Sequence, residues 1–102
     1  MQLSNQVTLI GNMKTDVQIT NFDNGGKIAR FKLETSRYPT NDKQPVWHNV
    51  FAWGNMAQFI ERYGQKGKQL AIHGRLVNRT YTTKKGDARK YTEVEVRHVI
   101  AM

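Results

Sequence analysis

A chain of 102 residues forms one domain that can bury roughly two-thirds of its unfolded surface, and it leaves no room for a second. With no cysteine, no long apolar run and no signal-peptide core at its start, it excludes disulfides, thiolate metal sites and a cysteine nucleophile, and is expected in the cytoplasm rather than in a membrane. The 16 Lys and Arg outnumber the 8 Asp and Glu, and the net charge of +8 calls for a polyanionic partner.

From Gln6 the run Val-Thr-Leu-Ile-Gly-Asn is rich in β-formers and closes at Gly11-Asn12, and a second short β run follows at 17 to 20. Asn24-Gly25-Gly26 predicts a tight turn. Residues 27 to 36 then alternate, with Ala29, Phe31 and Leu33 on one side and Ile28, Arg30, Lys32 and Glu34 on the other. That is the pattern of a half-buried strand. Residues 38 to 45 hold two prolines and Asn-Asp, which cannot continue a sheet, so they are loop with Tyr38 at its mouth.

The next strand, 46 to 54, places Trp47, Asn49, Phe51 and Trp53 on one face and Val46, His48, Val50 and Ala52 on the other. Its aliphatic face suits a core, and its aromatic face suits either a core or a surface on which planar ligands stack. Phe51 fits the core or a layer just beneath that surface, while Phe22, Phe31 and Phe59 are expected to be buried. Asn55 as N-cap, Met56, Phe59, Ile60 and Tyr63 at helical spacing and Gly64 as a stop predict one short helix. Past Gly67, Leu70, Ile72, Gly74 and Leu76 oppose Ala71, His73, Arg75, Val77, Arg79 and Tyr81, with Gly74 marking a bulge or bend. Lys84-Lys85-Gly86-Asp87 is a hairpin tip, and 91 to 102 return as the last strand with Thr92, Val94 and Val96 facing one way.

The predicted order is five antiparallel strands with one helix between the third and fourth. This all-β arrangement is that of the OB-fold, a five-stranded Greek-key barrel that binds oligonucleotides or oligosaccharides, and one such domain spans 1 to 102. Charge is distributed unevenly along it. Residues 62 to 90 hold nine basic residues against Asp87 alone, while the rest of the chain sums to zero. The aromatic strand and this basic segment, with Arg75, Arg79, Lys84 and Lys85, are expected to line one groove. Such a groove meets both needs of a flexible single strand: π-faces for its unstacked bases and cations for its phosphates. Trp47 and Trp53, about 20 Å apart at the strand rise, are the leading platforms, with Tyr81 and Tyr38 as a third and fourth.

Leu9-Ile-Gly-Asn12, Trp47-His48, Trp53-Gly54, Lys66-Gly-Lys68, His73-Gly-Arg-Leu76 and Thr92-Glu-Val94 together resemble the bacterial and mitochondrial single-stranded DNA-binding protein family over nearly the whole chain. The resemblance implies that Trp47, Trp53 and Tyr81 occupy base-stacking positions, Trp53 where phenylalanine is common and Tyr81 where tryptophan is common. A further stacking position falls on Pro39, with Tyr38 beside it as an imperfect substitute. Lys66, Arg79 and Arg89 fall on basic positions, whereas Asn49 stands where arginine is frequent. The resemblance also implies single-stranded DNA as the partner, a role in replication, recombination or repair at the nucleoid, and a homo-oligomer, usually a tetramer with a dimer possible, in which His48 lies near a subunit contact. Members typically continue into a flexible tail with an acidic tip that recruits other proteins. This sequence stops at Ile100-Ala-Met102, by nature or by truncation, so that route of recruitment is not expected of it.

Catalysis is not expected. Asp16, Asp23 and Asp42 fall in turns or loops, Glu34 and Glu61 stand alone, and the histidines at 48, 73 and 98 are too scattered for a metal site. No cofactor is called for. The alternatives are a primosomal-type OB-fold adaptor and an RNA-binding OB module, since stacking is indifferent to the sugar.

Overall fold

A computed structural model describes residues 3–35 and 46–102. The elements are β1 (Val7–Met13), β2 (Gln18–Asn21), β3 (Lys27–Glu34), β4 (Trp47–Trp53), α1 (Gly54–Tyr63), β5 (Gln69–Thr82) and β6 (Ala88–Ala101). The helix stands between the aromatic strand and the basic one, as the sequence predicts. The two short runs at the start are separate strands, so six strands stand where five were expected. They part where Lys14 N–H bonds Lys32 C=O and the Thr15 hydroxyl accepts from Lys32 N–H, which replaces ladder pairing with a corner.

The strands lie in the order β1-β5-β6-β4-β3-β2, and β1 also pairs with β3, so hydrogen bonding runs round a closed ring. Closure corrects the all-antiparallel expectation, because β4 and β6 pair in parallel from Asn49↔Glu93 to Phe51↔Glu95. It also corrects the expected neighbours. β6 lies between the aromatic strand β4 and the basic strand β5.

Inside the ring Ala29, Phe31, Leu33, Val50, Ala52, Leu70, Ile72, Val94 and Val96 form the core, closed by Met13 and by Ala57 and Ile60 of the helix. Phe59 is half-buried against this core, while Tyr63 is exposed and leans on Phe59. The helix starts two residues earlier than its sequence suggests. Trp53 is the N-cap, in extended conformation and with no side-chain cap, so Asn55 lies inside the first turn. Gly64 does end it, through close packing and not a left-handed turn: its N–H bonds Ile60 C=O, and a Cβ there would sit 2.6 Å from that oxygen.

Gly74 is the bulge. The β5–β6 register steps from His73↔His98 to Gly74↔Val96, leaving Arg97 without a partner, and a Cβ on Gly74 would come within 1.9 Å of Glu95 C=O. At the bulge β5 leaves β1, whose pairing ends at Val7↔Gly74, and past Val77↔Glu93, the last rung shared with β4, β5 and β6 leave the ring as a long two-stranded arm. Leu76, on the core side by alternation but beyond the end of β1, is exposed. The arm ends in a tight turn where Thr83 N–H bonds Asp87 C=O and Gly86 has φ of 89°, a left-handed conformation that favours glycine.

Candidate nucleic-acid interface

Strand register assembles one outer face from four strands. Across β3 and β4 the outward partners are Ile28 with Trp53, Arg30 with Phe51, Lys32 with Asn49 and Glu34 with Trp47. Asn49 and Phe51 continue onto Glu93 and Glu95 of β6, which oppose Val77 and Arg75 of β5, and further out Tyr91 faces Arg79 and Arg89 faces Tyr81. The result is a face that gathers aromatic and charged side chains of both signs.

Trp47 and Trp53 are 48% and 46% exposed, too open to be core. The Trp47 indole N–H donates to Glu34 Oε2 at 3.1 Å, which fixes the ring edge, and Lys14 and Lys32 extend over the ring at 5.8 and 5.6 Å from its centroid. Phe51, on the same face, is only 1% exposed because two guanidiniums cover it, Arg30 at 5.5 Å and Arg79 at 4.9 Å. Of its two sequence readings, a layer just beneath the exposed aromatic face is the one that the geometry matches.

Phe22 departs from expectation. It is exposed, and its ring stacks on Trp53 at 5.8 Å with 25° between planes. The Asn24-Gly25-Gly26 turn brings it there: Gly25 has φ of 87°, Phe22 N–H bonds Gly26 C=O, and Asn24 Oδ1 accepts from Gly26 N–H. At the arm, Tyr81 and Tyr91 meet edge to face at 5.3 Å. Both line an open hollow of about 700 Å³, together with Arg89, Lys90, Arg30 and Asn49.

The cations named from sequence divide into two groups. Arg75 Nε donates to Glu95 Oε1 at 2.7 Å and Arg79 Nε to Glu93 Oε1 at 2.9 Å, so both are partly neutralised. Among the described residues Lys66, Lys84, Lys85 and Arg89 have no carboxylate partner within ion-pair distance. Lys84 and Lys85 stand at the arm's tip, and Lys66 is moored through its N–H to Asp16 Oδ1, on the rim of the hollow. His48 is half-buried with its ring nitrogen 3.0 Å from the Thr35 hydroxyl. Tyr38 lies outside the described residues.

Sequence reasoning missed Phe22, Tyr91, Arg30, Lys32 and Lys14. Arg30 and Lys32 had a signal, since they alternate with Ala29, Phe31 and Leu33, but the chain outside residues 62 to 90 sums to zero, so a charge count passes them over. Tyr91 had none, because only register sets it beside Arg79 and Tyr81.

A ring of five strands with the helix in this place is the OB-fold. Residues 4–102 match the Single-strand binding protein family, and the chain belongs to it. A single-stranded DNA-binding protein of Bacteroides thetaiotaomicron is 32% identical over 99 residues, which cover 90% of this chain and 62% of that protein. The chain thus spans about three-fifths of the length of that curated relative. In fold it is similar to a Plasmodium falciparum SSB solved in complex with ssDNA, with a TM-score of 0.87 at 22% identity over 100% of this chain and 97% of that one.

Proposed function

We propose that the chain binds single-stranded DNA without catalysis and with little regard to sequence, in replication, recombination or repair. One observation carries the reading: four exposed rings, Trp47, Trp53, Tyr81 and Tyr91, share a sheet face with unneutralised cations. A duplex hides the π-faces of its bases, whereas a single strand must restack them, and the rings serve that need while the cations displace counterions. The family, and a structural neighbour solved with ssDNA, support the same reading.

Titration with oligo(dT) should quench tryptophan fluorescence with nanomolar-range affinity that falls steeply with salt. Duplex DNA binding as tightly as oligo(dT) would overturn the reading, and competition between poly(dT) and poly(U) tests the preference for DNA. Replacing Lys84 and Lys85 together by alanine should lower the slope of log affinity against log salt by at most about 1.4, at about 0.7 per phosphate contact, without abolishing binding. An unchanged slope would remove the arm's tip from the DNA path.

In the same proposal the protein works in the cytoplasm at the nucleoid as a homo-oligomer, a tetramer or a dimer, with His48 among its subunit contacts. Ile10 and Ile100, both exposed and aligned through Ala71 on the outer face of β1, β5 and β6, offer apolar surface for a second copy. Sedimentation of a monomer at micromolar concentration would refute the assembly.

A further inference from the structure

Arg30 stands on β3, outside the basic segment, and Arg79 stands on β5 with β6 and β4 between them. Both guanidiniums nevertheless converge on one ring and one carboxylate. They cover Phe51 at 5.5 and 4.9 Å from its centroid, and Glu93 reaches both, accepting from Arg79 Nε through Oε1 and from Arg30 Nη1 through Oε2. Glu93 is 3% exposed, and a carboxylate so buried is tolerable only because it is paired and hydrogen-bonded.

One arginine would be enough to neutralise that carboxylate. Two leave the cluster with one unit of positive charge, which is the charge of one phosphodiester. Each guanidinium has five N–H donors, and among the described residues Glu93 is the only side chain that accepts from either. The arginine side chains are 39% and 38% exposed, and Arg30 and Glu93 line the hollow beside Tyr81 and Tyr91. The guanidiniums are thus held from below by an aromatic floor and a shared anion, while their remaining donors face solvent.

We propose that Arg30 and Arg79 form a paired clamp for a DNA phosphodiester, and that Glu93 is the positioning residue that holds both forks over Phe51. The inference rests on the single-stranded DNA reading and adds to it a phosphate contact from β3. A fork fixed in advance loses little side-chain freedom on binding, so the clamp gains affinity from order as well as charge.

The test is titration of oligo(dT) over a range of salt concentrations, with thermal unfolding measured on each variant. Arg30→Ala should weaken binding on the order of tenfold and lower the salt slope by about 0.7, the loss of one phosphate contact, with little change in Tm because Arg79 still pairs with Glu93. Arg30→Lys should retain the slope while recovering only part of the affinity, since the charge returns without the fork. Glu93→Gln should weaken binding several-fold although it removes an anion from the interface. A merely structural carboxylate would leave the affinity of the folded protein unchanged, and one that competes with DNA would raise it; either result overturns the positioning role. If the unaltered protein binds oligo(dT) while Arg30→Ala keeps both affinity and slope, the clamp fails alone. If the unaltered protein does not bind, the functional reading fails with it.

Discussion

Trp47→Ala combined with Trp53→Ala should weaken oligo(dT) binding on the order of 30-fold or more, at the about 1 to 3 kcal/mol per stacked base general to OB-fold single-strand binders. Because these are the chain's two tryptophans, the double variant must be read from the anisotropy of a labelled oligonucleotide and not from quenching. The rings stand at opposite ends of β4, about 20 Å apart at the strand rise, so their losses should add. The single variants should differ in kind. Trp53 already has a neighbour in Phe22, which can retain part of the platform, whereas Trp47 is flanked by lysines that stack poorly by themselves. A double variant within about threefold of the unaltered protein would place the binding energy elsewhere and sink the stacking reading.

The largest effect on stability belongs to Gly74→Ala. The added methyl would sit 1.9 Å from Glu95 C=O and 2.9 Å from its carbon, and both are backbone atoms of the paired strand, so no side chain can swing aside. β5 and β6 must part at the bulge, in the pairing on which both the ring and the arm depend. Overpacking in a core typically costs about 1 to 3 kcal/mol, and a clash with backbone belongs at or above the top of that range. For a domain of this size about 3 kcal/mol lowers Tm by more than 10 °C. Urea or thermal unfolding checks it, and a Tm within about 3 °C of the parent would contradict the close approach.

What could be read from sequence follows how local each feature is. The alternation of Lys27–Glu34, the faces of Trp47–Trp53 and the turns at Gly25 and Gly86 depend on neighbours within a few residues, and all stand as read. Phe22 was misplaced because the four-residue strand before it is mostly exposed and carries no usable periodicity. The parallel closure of β4 on β6 and the meeting of Arg30, Arg79 and Glu93 are products of register between strands far apart in sequence. No window of adjacent residues contains that information. The candidate site was legible as residue types, rings and cations, but its arrangement was not: two of the named arginines are pinned to carboxylates, and β6 separates the aromatic strand from the basic one.

The ring has a consequence for how the chain is made. Its last strand is the piece that joins β4 to β5, through Val50↔Val94 on one side and Leu76↔Val94 on the other. During synthesis both of those edges therefore wait, unpaired, until the chain beyond residue 90 has left the ribosome. Closure of the ring must then wait for that strand and, with such distant partners, be slow for so small a domain. The waiting edges are templates for mispairing with other nascent chains. A ribosome-stalled chain with only residues 1 to 90 exposed should be cut readily by protease, while one with the whole sequence exposed should resist.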